Sequence, residues 1–492
     1  MFGWAIQIIL IFLLIFTPVA FGSMDIWAFS LMELGILLIL SLYSFQEILF
    51  LISGNPAFGP SNAEAIAQGT TGFYAVKKKF SVFPLVLLLL FLAIILFQLI
   101  PLPTEILKFL SPKTVEIRQL LSCLPLNLPS SSIPAAHFPA SPLSVFPFAT
   151  QIEFFKWISL IGLFLFLVYG RLLDDGRIRN RLILIIILVG AGEAFYGMIE
   201  FFSGHRHILF LDDSSSMTSV SGTFINPNYF AGYLLMVIPL ATGYLFSRLA
   251  IQEDHFVDWR QRISSVEGKN LLIGFGIILM ILGLFFSASR IGIISLLLSF
   301  SLLAILFRDR QQGRRFSRTP ILVVGLALLW AASIGLDAVI SRFLSGSESL
   351  KLRWMIWGDT LNILKDFPIL GSGLGTFAQV FPMYRSFHIQ GSITHAENDF
   401  VQLASEVGFL GIGILAVGFL YILLKTTSGI RSLSTRSPQR YIAIGGLVGV
   451  LALMFHSMVE RNLQVPAHAF LFSCLWALAL KIPTSKTPLE SF

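Results

Sequence analysis

LLIGFGIILMILGLFF at residues 271–286 is an apolar run, followed by SASR at 287–290 and by a second apolar run, IGIISLLLSFSLLAILF, at 291–307. Each run is close to the length that a helix needs to cross the hydrocarbon core of a bilayer. The short polar turn between them cannot form a separate domain. The pattern therefore predicts two membrane-spanning helices joined at one face of the membrane.

Similar apolar runs recur along the whole chain and predict an all-α, polytopic transmembrane bundle of about 12 spans. Of the 492 residues, 55% are hydrophobic and only 12% are charged, whereas soluble domains are about a quarter charged. The predicted spans are 3–22, 28–52, 80–101, 153–170, 182–202, 228–247, 271–287, 291–307, 320–341, 405–424, 441–459 and 466–481.

Alternating loops carry most of the lysine and arginine, which predicts the orientation of the spans. The basic loops are 77–79, 171–181, 248–269, 308–318 and 425–440, and the positive-inside rule assigns them to the cytoplasm. Three segments then face outward: 102–152, 203–227 and 342–404. We expect residues 1–341 to hold the first nine helices, 342–404 to form a large, partly helical outer loop, and 405–492 to hold the last three helices.

The composition also excludes several classes of protein. The net charge of +7 comes from short loops that set topology, so it does not indicate a nucleic-acid partner. No Walker sequence is present, which argues against ATP as an energy source. No cysteine or histidine spacing indicates zinc, so we expect neither a metal nor another cofactor.

Polar residues next to the sixth and eighth spans are candidates for binding an anionic or sugar ligand. Arg290 follows one apolar run and precedes the next, where a charged side chain is costly unless it snorkels to the lipid headgroups or binds an anion. Its guanidinium suits a phosphate because it donates paired hydrogen bonds. Asn226 and Asn228 flank Pro227, and this turn either caps the sixth span or holds a ligand.

The outer segment 342–404 carries the largest number of chemical candidates. Arg353, Trp354 and Trp357 lie near the start of a predicted amphipathic helix, and the tryptophans also fit an interfacial aromatic belt. The glycine-rich stretch 368–375 predicts a tight turn that lets a backbone approach closely. Tyr384 follows that turn.

His395 and Glu397 come just before the tenth span, and each is a candidate general base for a hydroxyl proton. The structural alternative for Glu397 is a capping box with Thr394 as the N-cap residue. Asn398, directly after Glu397, is a candidate for sugar binding or helix capping.

Three motifs together resemble the O-antigen ligase and O-antigen polymerase superfamily of bacterial envelope glycosyltransferases. Residues 222–228 (GTFINPN) resemble the family's G-T-F-x-N-P-N segment, and residues 287–290 (SASR) resemble its S-x-S-R turn. Asn398, followed after nine residues by Gly408-Phe409-Leu410-Gly411, resembles its H-N-x9-G-x-x-G signature. The likeness covers most of the chain and is densest over 220–412.

The resemblance implies a multi-pass protein of the bacterial inner membrane with its active site on the periplasmic face. Family members transfer a glycan from an undecaprenyl diphosphate carrier to an acceptor hydroxyl, with inversion and without a metal. The acceptor is the lipid A core, another glycan or a protein, and surrounding membrane lipids are further partners. Outer arginines bind the diphosphate, and a histidine is the base. Given this function, we expect Arg290, with help from Arg206 or Arg353, to bind the diphosphate. Asn226, Asn228 and Asn398 then position sugar or cap helices, and Trp354, Trp357 and Tyr384 stack on sugar rings.

The sequence departs from the family pattern at two positions. Glu397 stands where the signature histidine is expected, and the nearest histidine is His395. A second family arginine is expected just before the G-T-F segment, where Arg206 is the nearest candidate. The alternatives that the sequence leaves open are a protein O-oligosaccharyltransferase within the same class, and a transporter or flippase that uses the intramembrane carboxylates Glu193 and Glu200.

Overall fold

The computed structural model describes residues 2–53, 82–122, 140–204, 207–209, 211–212, 219–253, 267–307, 347–435 and 437–484. Within these ranges the protein is all-α, as predicted. The helices are α1 (Phe2–Val19), α2 (Ile26–Ser53), α3 (Phe83–Leu99), α4 (Thr104–Leu110), α5 (Pro112–Ser122), α6 (Pro147–Tyr169), α7 (Gly176–Ser203), α8 (Pro227–Glu253), α9 (Gly268–Phe286), α10 (Arg290–Leu306), α11 (Ser347–Asp366), α12 (Phe377–Val380), α13 (Asp399–Ser432), α14 (Pro438–His456) and α15 (Pro466–Lys481).

The strands in these ranges form two short antiparallel ribbons. In the first, β1 (Pro101–Pro103) pairs with β2 (Ala140–Pro142). In the second, β3 (His207–Ile208) pairs with β4 (Leu211–Asp212). Both ribbons lie in segments that connect helices, so the strands add no layer to the fold.

Eight of the described helices are long and apolar enough to cross a membrane, namely α1, α2, α6, α7, α8, α9, α13 and α14. The apolar helices α3, α10 and α15 are slightly shorter. These eleven helices coincide with eleven of the twelve predicted spans, so the chain is a polytopic membrane protein. The remaining predicted span, 320–341, lies outside the described residues.

Helix α8 forms the centre of the bundle and packs closely against α14. Glycines on both helices make this approach possible: a Cβ on Gly243 would lie 2.4 Å from the Tyr441 carbonyl oxygen, and one on Gly445 would lie 2.5 Å from that of Pro239. Small residues at helix interfaces allow backbone contact in membranes, where the hydrophobic effect does not drive helices together. Helix α8 is therefore fixed relative to α14.

A second, smaller hydrophobic core lies outside the bundle. Ile117 of α5, Ile356 and Ile363 of α11, and Phe377 and Phe381 pack together there. Because α5 and α11 lie in two separate segments between membrane helices, this core packs α11 against α5.

Helix α13 is broken at Gly408, which has φ 67° and ψ −175°. The segment 368–375 lies in the break. The Phe409 N–H donates to the Pro368 carbonyl (2.8 Å), and the Ser372 N–H donates to that of Ser405 (3.0 Å). A Cβ on Gly371 would lie 2.2 Å from the Glu406 carbonyl carbon. The predicted close approach of a backbone to this glycine-rich turn is confirmed.

We expect Gly408→Ala to destabilise the protein by roughly 1–3 kcal/mol from backbone strain alone, and by more because its Cβ would lie 2.3 Å from the Ile369 carbonyl oxygen. Gly413→Ala is the matched control on the same helix, because nothing lies within 4 Å of its Cβ position. Thermal unfolding of the detergent-solubilised variants measures the difference. Equal midpoints for both variants would contradict this account of the break.

Candidate functional site

The loop 457–463, which follows α14, is joined by hydrogen bonds to the first turn of α13. Asn398 caps α13 by accepting the N–H groups of Phe400 (3.0 Å) and Val401 (3.1 Å), and its amide donates to the Met458 carbonyl at 2.6 Å. The adjacent Asp399 carboxylate accepts the N–H groups of residues 462 (2.9 Å) and 463 (2.8 Å). These bonds hold together two segments that are about 60 residues apart in sequence.

Glu460 of this loop is the point at which α8 and α11 meet it. Its carboxylate accepts hydrogen bonds from Arg353 Nη2 of α11 at 2.6 Å and from Asn228 Nδ2 of α8 at 2.8 Å. Arg353 also donates to the Val459 carbonyl. The Glu460 side chain is only 4% exposed. A buried carboxylate needs such partners, so the ion pair fixes α11 against the loop.

Glu397 lies beside this pair and forms the more exposed part of the same charged cluster. Its Oε1 is 3.7 Å from Arg461 Nε, and its side chain is 29% exposed. Arg461 also donates to the Tyr229 hydroxyl and lies over the Tyr229 ring, 5.1 Å from its centroid. Burial, and secondarily the like charge of Glu460, raise the pKa of Glu397 to about 7, although Arg353 acts in the opposite direction.

The backbone next to Glu397 is held on both sides. The Ala396 N–H donates to Gln402 Oε1 at 3.0 Å, and the Trp357 indole N–H donates to the Ala396 carbonyl at 2.9 Å. Gln402 in turn donates to the buried Glu406 at 3.1 Å. Glu397 itself has φ 51°, in the left-handed region that non-glycine residues seldom adopt. The surrounding contacts therefore determine its conformation.

The capping box that the sequence suggested for Glu397 is wrong. Helix α13 begins at Asp399 with Asn398 as its N-cap residue, so Thr394 caps nothing there and Glu397 precedes the helix. Asparagine is among the best N-cap residues, and Asn398 already accepts the N–H groups of the first turn, which leaves no such role for Thr394. Glu397 is thus free of the structural function that was its main alternative.

Arg290 is the first residue of α10 and is joined to the cluster through a buried chain of polar groups. Ser289 caps α10 by accepting the Gly292 N–H at 3.3 Å, and its Oγ lies 3.5 Å from His456 Nε2. His456 Nδ1 lies 3.2 Å from Asn462 Oδ1. Arg290 itself is partly exposed, and it follows Ser289 directly in the chain.

The segment 222–228 is held by capping and by a buried carboxylate. Asn226 caps α8 by accepting the Asn228 N–H at 2.8 Å. Glu193 of α7 accepts the Thr223 N–H and its hydroxyl, both at 2.9 Å. Glu193 therefore has a structural role that accounts for its burial. Farther along α8, Gly232 leaves room for Asn462, whose Oδ1 would lie 2.4 Å from a Cβ there.

Of the other predicted site residues, Arg206 lies outside the described residues. Tyr384 packs in the smaller core, and its hydroxyl donates to Asp366 at 2.7 Å. His395 is partly exposed, and its buried Nδ1 has no hydrogen-bond partner among the described residues. Trp354 is 67% exposed and packs edge-to-face on Trp357, with ring centroids 5.1 Å apart.

Several residues of the arrangement, among them Tyr229, Asp399 and Gln402, are not among the candidates that the sequence indicated. The signal for Asp399 was present, because a carboxylate at the first position of an apolar helix requires partners. Tyr229 and Gln402 act through distant segments, so the sequence held no local signal for them. Within the described ranges, no group of three or more His, Cys, Asp or Glu side chains is arranged to hold a metal ion.

Comparison with known families gives a match over part of the chain. Residues 275–416 match the O-antigen ligase family model. The matched range includes Arg290, Arg353 and the segment from Glu397 to Gly411, so the predicted resemblance is confirmed over this part of the chain. The match supports glycan transfer of the O-antigen ligase type in general. None of the curated proteins compared with the chain matches it.

We expect Arg353→Met to destabilise the protein by up to about 3 kcal/mol, because it leaves the Glu460 carboxylate buried without its cation. The double variant Arg353→Met/Glu460→Leu should recover a large part of this loss, since both charges are then removed. Thermal unfolding in detergent measures both. A double variant that is less stable than Arg353→Met would contradict the assignment of this pair.

Proposed function

We propose, from the premise that residues 275–416 are of the O-antigen ligase family, that the protein transfers a glycan from an undecaprenyl diphosphate carrier to an acceptor hydroxyl. The reaction is inverting and independent of metal, as the family resemblance implies. The site is the cluster around Glu397, on the periplasmic face of the bacterial inner membrane. The proposal is carried by a partly exposed carboxylate, Glu397, that lies 3.7 Å from Arg461 and is also in the field of Arg353.

Glu397 is the general base. A base works best when its pKa is close to the working pH, and burial together with Glu460 raises the pKa of Glu397 to about 7. Hydrogen bonds to the N–H and carbonyl of Ala396 fix the position of Glu397, so that no further ordering of this residue is needed before reaction. His395 is the second candidate, and the transfer rates of variants at the two positions distinguish them.

The reaction is a single displacement at the anomeric carbon. Glu397 removes the proton of the acceptor hydroxyl as the acceptor oxygen attacks. The bond from the anomeric carbon to the phosphate oxygen breaks, and its electron pair leaves with undecaprenyl diphosphate. A glycosidic bond of inverted configuration forms, and the proton remains on the Glu397 carboxyl until it passes to water.

Arginines stabilise the negative charge that develops on the departing diphosphate. Arg290 binds it directly, because its turn is joined to the cluster through Ser289 and His456. Arg353 contributes a positive field while its guanidinium remains on Glu460. Fixed cations at the place where charge develops lower the barrier of a reaction more than most other catalytic effects. Arg206 remains the candidate for the second arginine of the family pattern.

Aromatic and amide side chains around the cluster bind the sugars. The exposed Trp354 packs on Trp357, and the Trp357 indole binds the carbonyl of Ala396, the residue before Glu397. Asn228 and Asn398 lie in the same cluster, and Tyr384 lies farther out on the loop. The acceptor is the lipid A core, another lipid-linked glycan or a protein, so the enzyme is a ligase, a polymerase or a protein O-oligosaccharyltransferase.

We expect Glu397→Gln to lower the transfer rate by about 10²–10⁴-fold, the usual contribution of a general base. We expect Arg290→Ala to lower it by about 10²–10³-fold through lost charge stabilisation, and His395→Ala to change it only a few-fold. The measurement is glycan transfer by purified protein from an undecaprenyl diphosphate-linked donor. Arg385→Ala is the control, because this partly exposed arginine of the outer loop donates to the Gly391 carbonyl, at 3.4 Å, and not to the cluster.

The same variants are then tested in a deletion strain, with membrane expression checked for each. Loss of surface glycan with accumulation of long lipid-linked chains indicates a ligase, and accumulation of single repeats indicates a polymerase. Unchanged glycan and carrier pools in the strain that lacks the gene would contradict the proposed function. If His395→Ala abolishes transfer and Glu397→Gln does not, the assigned base is wrong.

The rate should depend on pH through Glu397. The carboxylate must be deprotonated to accept a proton, so activity falls roughly tenfold per pH unit below about pH 7. Glu460→Gln removes a like charge, lowers the pKa of Glu397, and should move this acidic limb to lower pH. A limb that persists unchanged in the residual activity of Glu397→Gln would assign the titration to another group.

A further inference from the structure

Arg461 lies in the charged cluster but has no role in the proposed reaction. It belongs to the loop 457–463, and its Nε is 3.7 Å from Glu397 Oε1. That distance is too long for a hydrogen bond, so the Glu397 carboxylate remains able to accept a proton. Arg461 is therefore a cation that lies beside the assigned base without occupying it.

Tyr229 of α8 holds the guanidinium of Arg461 through both its hydroxyl and its ring. Arg461 Nε donates to the hydroxyl, and the guanidinium carbon lies 5.1 Å from the ring centroid. A planar guanidinium is attracted by the π electrons of an aromatic ring and stacks on it. The backbone after Arg461 is fixed as well, because Asp399 accepts the N–H groups of residues 462 and 463. A ligand of Arg461 therefore meets a group that is already in place, so that little ordering is needed on binding.

The two terminal nitrogens of the guanidinium distinguish Arg461 from Arg353. In Arg353, Nη1 donates to the Val459 carbonyl and Nη2 donates to Glu460 at 2.6 Å, so the protein itself uses both. Arg461 makes no hydrogen bond from Nη1 or Nη2 to any residue in the described part of the chain, and its side chain is 18% exposed. Paired N–H donors of this kind match two oxygens of a phosphate. Arg461 can thus bind an oxyanion beside Glu397, whereas Arg353 is committed to holding the loop.

We infer that Arg461 is a further catalytic residue, which donates from Nη1 and Nη2 to phosphate oxygens of the donor. This inference rests on the proposed function, because it takes the diphosphate donor from it. When the bond from the anomeric carbon to the phosphate oxygen breaks, the electron pair leaves with the diphosphate, and Arg461 stabilises the negative charge that develops there. Tyr229 is a positioning residue that acts through Arg461.

The orientation of the guanidinium suits an inverting displacement. In such a reaction the base and the leaving group lie on opposite sides of the anomeric carbon. The edge formed by Nη1 and Nη2 is opposite Nε across the guanidinium carbon, and Nε is the nitrogen 3.7 Å from the Glu397 carboxylate. A phosphate on that edge is therefore held away from the base, which leaves space for the sugar between them.

The first experiment measures the binding of undecaprenyl diphosphate and of undecaprenol to the purified protein in detergent. The two ligands share one chain, differ in the diphosphate, and carry no sugar. We expect Arg461→Ala to weaken the binding of undecaprenyl diphosphate by about 10–100-fold, the usual effect of losing hydrogen bonds between charged groups, and that of undecaprenol by less than about twofold. Arg385→Ala, which removes an arginine of the outer loop that does not contact the cluster, should leave both unchanged.

The outcomes separate this inference from the proposed function. Equal losses of affinity for both ligands would mean that Arg461 only maintains the fold. An undiminished preference of Arg461→Ala for the diphosphate would mean that Arg461 does not contact phosphate. Either result overturns the inference and leaves the proposed donor standing. If the wild-type protein binds undecaprenyl diphosphate no better than undecaprenol, the proposed function itself is contradicted.

The second experiment uses Tyr229→Phe, a milder variant that keeps the ring and removes only the hydroxyl that accepts from Arg461 Nε. We expect it to weaken the binding of undecaprenyl diphosphate by roughly 2–10-fold, the usual effect of one hydrogen bond, and to leave the binding of undecaprenol unchanged. In the Arg461→Ala background the same substitution should have no further effect, because the two residues act through one group. Equal effects of Tyr229→Phe in both backgrounds would overturn the inferred arrangement.

Discussion

The segment 368–375 lies in the break of α13 at Gly408, and its backbone completes hydrogen bonds that the break would otherwise leave open. Within a membrane protein, each N–H and C=O away from water must find a partner in the protein. Pro368 and Ile369 accept from the residues after the break, while Ser372 and Gly373 donate to those before it. Gln98 of α3 adds hydrogen bonds to both segments. The segment 368–375 and helix α13 are thus joined into one hydrogen-bonded unit.

This constraint extends to the candidate base through α13 itself. Glu406, just before the break, accepts the Gly375 N–H at 2.9 Å, and it also accepts from Gln402. Gln402 holds the Ala396 N–H, and Ala396 precedes Glu397. A displacement of the glycine-rich segment would therefore move Glu397. The G-x-x-G part of the family signature is explained by the break, since Gly408 requires φ above zero and contact with Ile369.

The sequence predicted what depends on local pattern. Apolar run length predicted eleven described spans, and capping by Asn398 was one of the two roles predicted for it. Contacts between distant segments were not predictable. Arg353 and Glu460, for example, are 107 residues apart, and no local pattern links them. The break of α13 at Gly408 was not predicted either, because it depends on contact with the segment 368–375. The Thr394 capping box failed because Asn398 is a stronger cap one residue after Glu397. The ninth predicted span and Arg206 lie outside the described residues.

Glutamate at position 397 departs from the family pattern, and the surroundings of this residue compensate for the change. Histidine has an unperturbed pKa of about 6.5, close to neutral pH, which suits a general base. An exposed glutamate would have a pKa roughly two units lower and be a weaker base. Burial and the nearby Glu460 raise the pKa of Glu397 to about 7, which is the histidine range. In our proposal burial, assisted by the second carboxylate that Arg353 and Asn228 hold, makes a glutamate sufficient at this position.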